Sequence, residues 1–392
     1  MNIFNSLGSN YDWRFVLKAL FAKNKESYSA NLKNLLEKKY NGEVLLAYKG
    51  RQAIELTLEI LNLPKESFIA INGFTCVAVF NSIRKAGFEP VCLDLQDSGG
   101  LNFTPDSLEK TLSKNKKISA VIIQNTLGYP CDIEGILAIC KRHNLILIED
   151  LAHCVGTRYP NGKETGTMGD FVVLSFSQDK IIDSVSGGAL VIRNKKYFDK
   201  GNSLGGLSKP PPMWIFRDRI YPFETYKIRA AYKLGLGKPY HFLLKKLGLL
   251  PNVMNQSFYD YYSLPNWHAS LALYQFKHLD TQLNHRRKIA QIYVSLLPEN
   301  ILMFAKEKNK EAVSLSSNLR FPIFVENRSK LIRKLKDQGV YISDVWYTDV
   351  APQCPNAVDD SKMILNLPTH INITEKDAKN ISLIINQWLK SQ

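Results

Sequence analysis

A chain of 392 residues that is 45% apolar and 22% charged can bury the core of one or two globular domains, which excludes disorder as its default state. No apolar run approaches the roughly 20 residues of a spanning helix, and the N-terminus lacks the basic-then-apolar pattern of a signal peptide, so the expected location is the cytoplasm. Six scattered cysteines (Cys76, Cys92, Cys131, Cys140, Cys154, Cys354) argue against a zinc site or a disulfide framework, while the formal charge of +15 leaves nucleic acid, an anionic membrane face or phosphorylated substrates open.

Residues 1–45 are patterned as amphipathic helix and are expected to pack on a small C-terminal domain. From Ala47 to Leu190, apolar runs alternate with helical patterns, which predicts a parallel sheet wrapped by helices. The runs Ser67–Ile71, Pro90–Asp94, Ala120–Gln124, Leu145–Asp150, Phe171–Phe176 and Ala189–Ile192 are continuous rather than alternating, as strands buried on both faces are. Helices are predicted between them at Ile54–Leu61, Val77–Ala86 and Ile133–His143, and residues 46–207 form the large domain of this division.

Residues 208–263 read as an insertion, opened by Pro210-Pro211-Pro212. Between Lys209 and Leu250, nine Lys or Arg stand against only Asp218 and Glu224, with eight aromatics interleaved. The stretch His241–Leu250 has the lysine-faced amphipathic pattern of a helix in an anionic membrane interface, although packing on its own protein fits the same pattern. Residues 264–392 are predicted to hold a long helix or helix pair over Trp267–Leu297, a strand over Asn318–Val325 in a smaller α+β domain, and a closing helix over Glu375–Leu389.

Two residues carry the strongest chemical signal. Asp150 ends one strand and Lys180 follows a later one, and ligands bind at the carboxyl ends of strands in a parallel sheet. An amine that can form an imine and a carboxylate that can keep a pyridine nitrogen protonated are the two groups a pyridoxal-phosphate (PLP) enzyme needs. To be nucleophilic Lys180 must lose its proton, which burial and nearby cations favour, and the same amine can then shuttle a proton.

The order Glu149-Asp150-Leu151-Ala152-His153, Gly166-Thr167-Met168-Gly169-Asp170, Ser175-Phe176-Ser177-Gln178-Asp179-Lys180 and Gly187-Gly188 resembles the DegT/DnrJ/StrS family of sugar aminotransferases, a branch of the fold-type-I PLP enzymes. The resemblance implies an α/β large domain with a mostly parallel sheet plus a small C-terminal α+β domain, assembled as a homodimer. It also implies that Lys180 holds PLP as a Schiff base, Asp150 pairs with the pyridine nitrogen, His153 lies beside the ring and Ser175 bonds the phosphate. The segment Ala47–Ile54 resembles the family's phosphate-binding turn, assigning Gly50, Arg51 and Gln52 to it, with Lys49-Gly50-Arg51 where Ser-Gly-Thr is usual. Cys76 stands near the position of the family's stacking aromatic, with Phe74 close by, and Asn125 borders the cofactor. Trp346 and Tyr347 fall where relatives contact the sugar.

The family's segment with an asparagine that reaches the neighbouring subunit is replaced here by Asp260-Tyr261-Tyr262-Ser263, which leaves Asn255 and Asn266 as candidates for that role. The function implied is transfer of an amino group from glutamate to a nucleotide-linked keto-sugar, for surface glycan or secondary-metabolite synthesis, with no metal and no nucleic acid. The insertion would form a lid or make peripheral membrane contact through residues 209–250. The alternatives are a PLP enzyme with a non-sugar or membrane-associated acceptor, and a non-enzymatic basic protein that binds nucleic acid. Lys180 argues against the sugar dehydratases of this scaffold, which carry histidine there.

Overall fold

Continuous Val, Ile and Leu runs need cover on both faces, and the fold supplies it. The computed structural model describes residues 2–96, 100–203, 206–251, 260–342 and 350–392. The chain begins with β1 (Ile3–Phe4), α1 (Trp13–Phe21) and α2 (Ser27–Tyr40), followed by β2 (Glu43–Ala47), α3 (Gly50–Leu61), β3 (Phe68–Asn72), α4 (Val77–Lys85) and β4 (Glu89–Leu93). Next come α5 (Pro105–Lys114), β5 (Ile118–Ile123), α6 (Ile133–Arg142), β6 (Ile146–Asp150), β7 (Phe171–Ser175) and β8 (Gly188–Ile192). Seven of these strands form one sheet in the order β2-β8-β7-β6-β5-β3-β4, in which only β8 runs against its neighbours.

Adjacent residues of the central strands point to opposite cores. Ile122 and Ile148 join α3 and α4 on one side, while Val121 and Leu147 join α5 and α6 on the other. Side-chain caps start several helices: Asp12 accepts from Phe15 N on α1, Thr104 from Ser107 N on α5, and Asp132 from Gly135 N on α6.

The sequence reading omitted β2. Its burial alternates irregularly because it is an edge strand, so it lacks the continuous apolar signature of its neighbours. The N-terminal segment follows its expected packing only in part. β1 joins the C-terminal unit by pairing with β10 (Val340–Tyr341), and beyond it Asn5 donates to Asn366 O and the Ser9 carbonyl accepts from Asn372 Nδ2, whereas α2 sets Leu32, Leu36 and Tyr40 into a core with Val172 and Leu174 of the large sheet.

After α7 (Phe198–Ser203), residues 208–263 contain α8 (Pro212–Ala231) and α9 (Gly237–Lys246). α8 is no detachable flap, since Asp218, Tyr221, Thr225 and Ile228 on it are buried. The predicted long helix is a pair, α10 (Asn266–Lys277) and α11 (Leu279–Leu296), which meet at His278. Then follow α12 (Lys306–Leu315), β9 (Phe321–Phe324), α13 (Arg328–Asp337), β10, α14 (Pro355–Met363), β11 (Ile364–Leu367) and α15 (Glu375–Leu389). β9 is shorter than predicted because Asn318 takes φ 47° and its side chain donates to Val313 O, a turn conformation that no strand continues. A capping box of Thr374 and Asp377 opens α15, which closes the core of the small unit through Ile381 and Ile385.

The sheet approaches the start of α3 closely at Gly188, where a Cβ would lie 2.6 Å from Gly50 N and Lys49 C. Backbone cannot yield there as a flexible side chain would. Gly188→Ala is expected to cost about 1–3 kcal/mol by overpacking, read as a lower urea midpoint at unchanged m-value; a midpoint equal to that of the wild type would show that the junction is looser than described.

Candidate active site

Strands β2, β3, β5, β6 and β7 run the same way, so their carboxyl ends share one edge of the sheet. That edge opens into a cavity of about 410 Å³ lined by Lys49, Gly50, Arg51, Cys76, Gln124, Asp150, His153, Ser175, Gln178 and Lys180, among others. The volume lies within the roughly 300–1,000 Å³ of small-molecule sites. Seven residues singled out in the sequence therefore meet in one place: Lys180, Asp150, His153, Gly50, Arg51, Cys76 and Ser175.

Lys180 sits on a loop whose shape is set by Asp183. The buried Asp183 carboxylate accepts from Tyr11 Oη at 2.7 Å, Asp179 N at 2.8 Å and Val185 N at 2.9 Å, while Asn10 Nδ2 donates to the Lys180 carbonyl at 3.1 Å. Burial lowers the Lys180 amine below its ordinary value, opposed by the neighbouring Cys76, Asp150 and Asp179. The neutral amine is thereby favoured relative to that of a solvated lysine.

Asp150 ends β6 and accepts from Ala152 N at 2.9 Å. Burial pushes its carboxyl up to about 6, against the Ala152 hydrogen bond and the Lys180 charge. His153 is held well below its ordinary value by burial and by the Lys180 and Arg320 charges, and its Nδ1 lies 3.3 Å from Leu127 N. An acceptor at Nδ1 leaves the proton of the neutral ring on Nε2. The neighbouring Glu149 points to the opposite side, accepting from Gly166 N, Met168 N, Gly169 N and Tyr159 Oη, and so ties down the loop that follows β6.

At the other end of the cavity, α3 starts at Gly50 with no side-chain cap, and a Cβ on Gly50 would lie 2.7 Å from Ser175 Cβ. The first amides of an uncapped helix are an anion site. Lys49, noted in the sequence only as a departure from the usual turn and not assigned to the site, also lines this end and is only 2% exposed. Its Nζ donates to Ser186 Oγ at 2.6 Å. Burial lowers its amine to about 8, with Asp218 opposing and Arg51 reinforcing the shift. Asp218 reaches this wall from α8 and accepts from Tyr48 Oη at 2.6 Å and from His268 Nε2 at 2.8 Å. Burial raises its carboxyl, but the His268 bond and the Lys49 charge outweigh that and hold it below its ordinary value.

Other predicted positions are used differently. Gln52 does not line the cavity: its Nε2 donates to Asp260 O at 2.9 Å. Asn125 is a structural residue at φ 48°, its side chain bonded to Cys131 N and Tyr159 Oη, while the preceding Gln124 faces the cavity. Phe74 packs in the core of the small unit. Asn266 accepts from Ser29 Oγ at 2.6 Å at the start of α10. Trp346, Tyr347 and Asn255 lie outside the described residues. Only position could have flagged Lys49 and Gln124, since both adjoin residues at strand ends.

The model of the DegT/DnrJ/EryC1/StrS aminotransferase family matches residues 23–209 and 242–386. The chain belongs to this family. It is 25% identical over 357 residues to GDP-perosamine synthase of Caulobacter vibrioides, covering 87% of this chain and 84% of that protein. It is also 32% identical over 166 residues to EpsN of Bacillus subtilis, named as a pyridoxal phosphate-dependent aminotransferase, covering 41% and 42%. Among solved structures it is similar to PseC of Helicobacter pylori, an aminotransferase of pseudoaminic acid biosynthesis, with TM-score 0.72 and 19% identity over 97% and 96% of the two chains. This likeness shows the shared fold. The protein is a PLP-dependent aminotransferase, and the reading as a non-enzymatic nucleic-acid binder is set aside.

The cavity suits that cofactor. An amine and a buried carboxylate face one space, Gly50 closes against Ser175, and the buried Gln178 Nε2 has no hydrogen-bond partner among the described residues. For Asp150 the sign of the pH dependence follows from a folded value of about 6 above an ordinary 3.8. In the cofactor-free protein its protonated form stabilises the fold below the ordinary value, and that contribution is lost as pH rises through about 6. Asp150→Asn should gain on the wild type, by on the order of 3 kcal/mol in total, as cofactor-free samples are taken from acid to about pH 7 in urea titrations. A pH-independent difference would contradict the burial of this carboxyl.

Proposed function

We propose that the protein moves an amino group from glutamate to a nucleotide-linked keto-sugar, in surface glycan or secondary-metabolite synthesis, as a cytoplasmic homodimer. The observation that carries the reading is the meeting of Lys180 and the buried Asp150 in one cavity at the sheet edge. Bound PLP supplies an electron sink for the carbanion left when a proton leaves the donor carbon. Lys180 would hold the cofactor and, once the donor amine has taken its place, its freed amine, lowered by burial, would be the base that takes that proton and returns one to the acceptor carbon. Asp150 would keep the pyridine nitrogen protonated, and His153 would lie beside the ring. The α3 amides at Gly50 and Arg51, together with Ser175, would bind the phosphate, with Lys49 as an added cation.

A sugar acceptor is supported by family membership and by the GDP-perosamine synthase relationship. Lysine at position 180 favours transfer over dehydration. Peripheral contact with an anionic membrane through residues 209–250 belongs to the same proposal, supported by nine basic against two acidic residues there.

A panel of nucleotide keto-sugars incubated with glutamate tests the reading. The wild type should form an amino-sugar and 2-oxoglutarate, and Lys180→Ala should lose about 10³-fold or more of the rate. Turnover of non-sugar ketones alone would overturn the proposed acceptor, and an active Lys180→Ala would overturn the assignment of the base.

A further inference from the structure

Among the described residues, fifteen large hydrophobic side chains are exposed, and thirteen of them fall in two segments, 13–21 and 213–247. On α1 the exposed ones are Trp13, Leu17, Leu20 and Phe21, the last 77% exposed. Their spacing places them on one face of the helix. The opposite face, Phe15, Val16 and Ala19, packs in a core with Tyr221 of α8, and Leu250, just beyond α9, packs against the same core. α1 is therefore apolar on both sides, with one side open to solvent. The second segment continues the pattern in the neighbouring elements, with Leu234 76% and Phe242 69% exposed.

We infer that the outward stripe of α1 and the exposed apolar residues of α8 and α9 make one composite surface that lies in the interface of an anionic bilayer. The inference rests on the proposed contact of residues 209–250 with a membrane and extends it to α1, which lies outside that stretch. Cations are interleaved with the apolar side chains: Arg14 lies over the Trp13 ring, Lys227 over Phe223, and Lys245 and Lys246 end α9. Large apolar groups among Lys and Arg are the composition of helices that lie in the headgroup region. The same charges disfavour a second copy of the chain as the cover, because a two-fold contact would set like charges against each other. Among the described residues no helix is long and apolar enough to cross a membrane, so the surface would rest on the bilayer.

The test uses the full-length, PLP-loaded protein with phosphatidylcholine vesicles, with and without phosphatidylglycerol. Sedimentation, molar mass by light scattering and aminotransfer are measured for the wild type, for Leu17→Gln/Phe21→Gln and for Phe242→Gln/Leu243→Gln. The wild type should sediment with the anionic vesicles only. Each pair of changes should reduce the bound fraction by about tenfold without altering molar mass or activity in solution. If the α1 pair lowers the melting temperature, Leu17→Gln alone takes its place. Wild-type protein that ignores anionic vesicles removes both the inference and the membrane contact of residues 209–250. Loss of binding in the α9 pair but not in the α1 pair removes the inference alone. A drop in molar mass in the α1 pair would show that a second copy covers the stripe, and would overturn it.

Discussion

The Lys180 loop keeps its shape through one buried carboxylate. Asp179 and Val185 both adopt left-handed backbone, at φ 63° and 70°, which costs a non-glycine residue about 1–3 kcal/mol and is most unfavourable for a β-branched one. Asp183 accepts the N–H of each of them and the hydroxyl of Tyr11. Burial pushes its carboxyl up to about 7, the Asp179 charge adding to the rise. The strained turn and the buried acid thus support each other. The N-terminal segment supplies Asn10 and Tyr11 to the arrangement, and Arg286 of α11 fixes Asn10 in turn at 2.9 Å. Elements distant in sequence converge on the backbone that presents a single amine.

A second buried charge shows how a departure from the family pattern is accommodated. Lys49 stands where the resemblance leads one to expect serine, and a buried ammonium needs a counter-charge. Asp218 supplies it from α8, within the stretch between the two matched parts of the family model. His268 and Tyr48 donate to Asp218, and Lys49 donates to Ser186. The basic insertion is therefore wired into the wall of the cofactor cavity as well as contributing an exposed apolar face.

Much of this was legible in the sequence. The strands from β3 to β8 announced themselves because burial on both faces leaves unbroken apolar runs, and Asp150, His153, Ser175 and Lys180 stand where the ends of such strands place ligand-binding groups. What escaped depended on contacts between distant segments. β2 is an edge strand with mixed exposure, and Lys49 looks like any loop lysine until Gly188 and α8 close over it. Asp183 and Asp218 gave no signal, since their roles arise from partners far away in the chain. Gln52 and Asn125 were placed by their motifs at the right edge of the sheet, but hydrogen bonds to Asp260 and to Tyr159 turn their side chains to structural work.

The central claim is that Lys180, and not the more deeply buried Lys49 of the same cavity, holds the cofactor. Reduction of the PLP-loaded protein with borohydride, followed by proteolysis and mass spectrometry, tests it directly. The account predicts that the reduced pyridoxyl group lies on the peptide containing Lys180. The group on Lys49, or no covalent label at all, would contradict it.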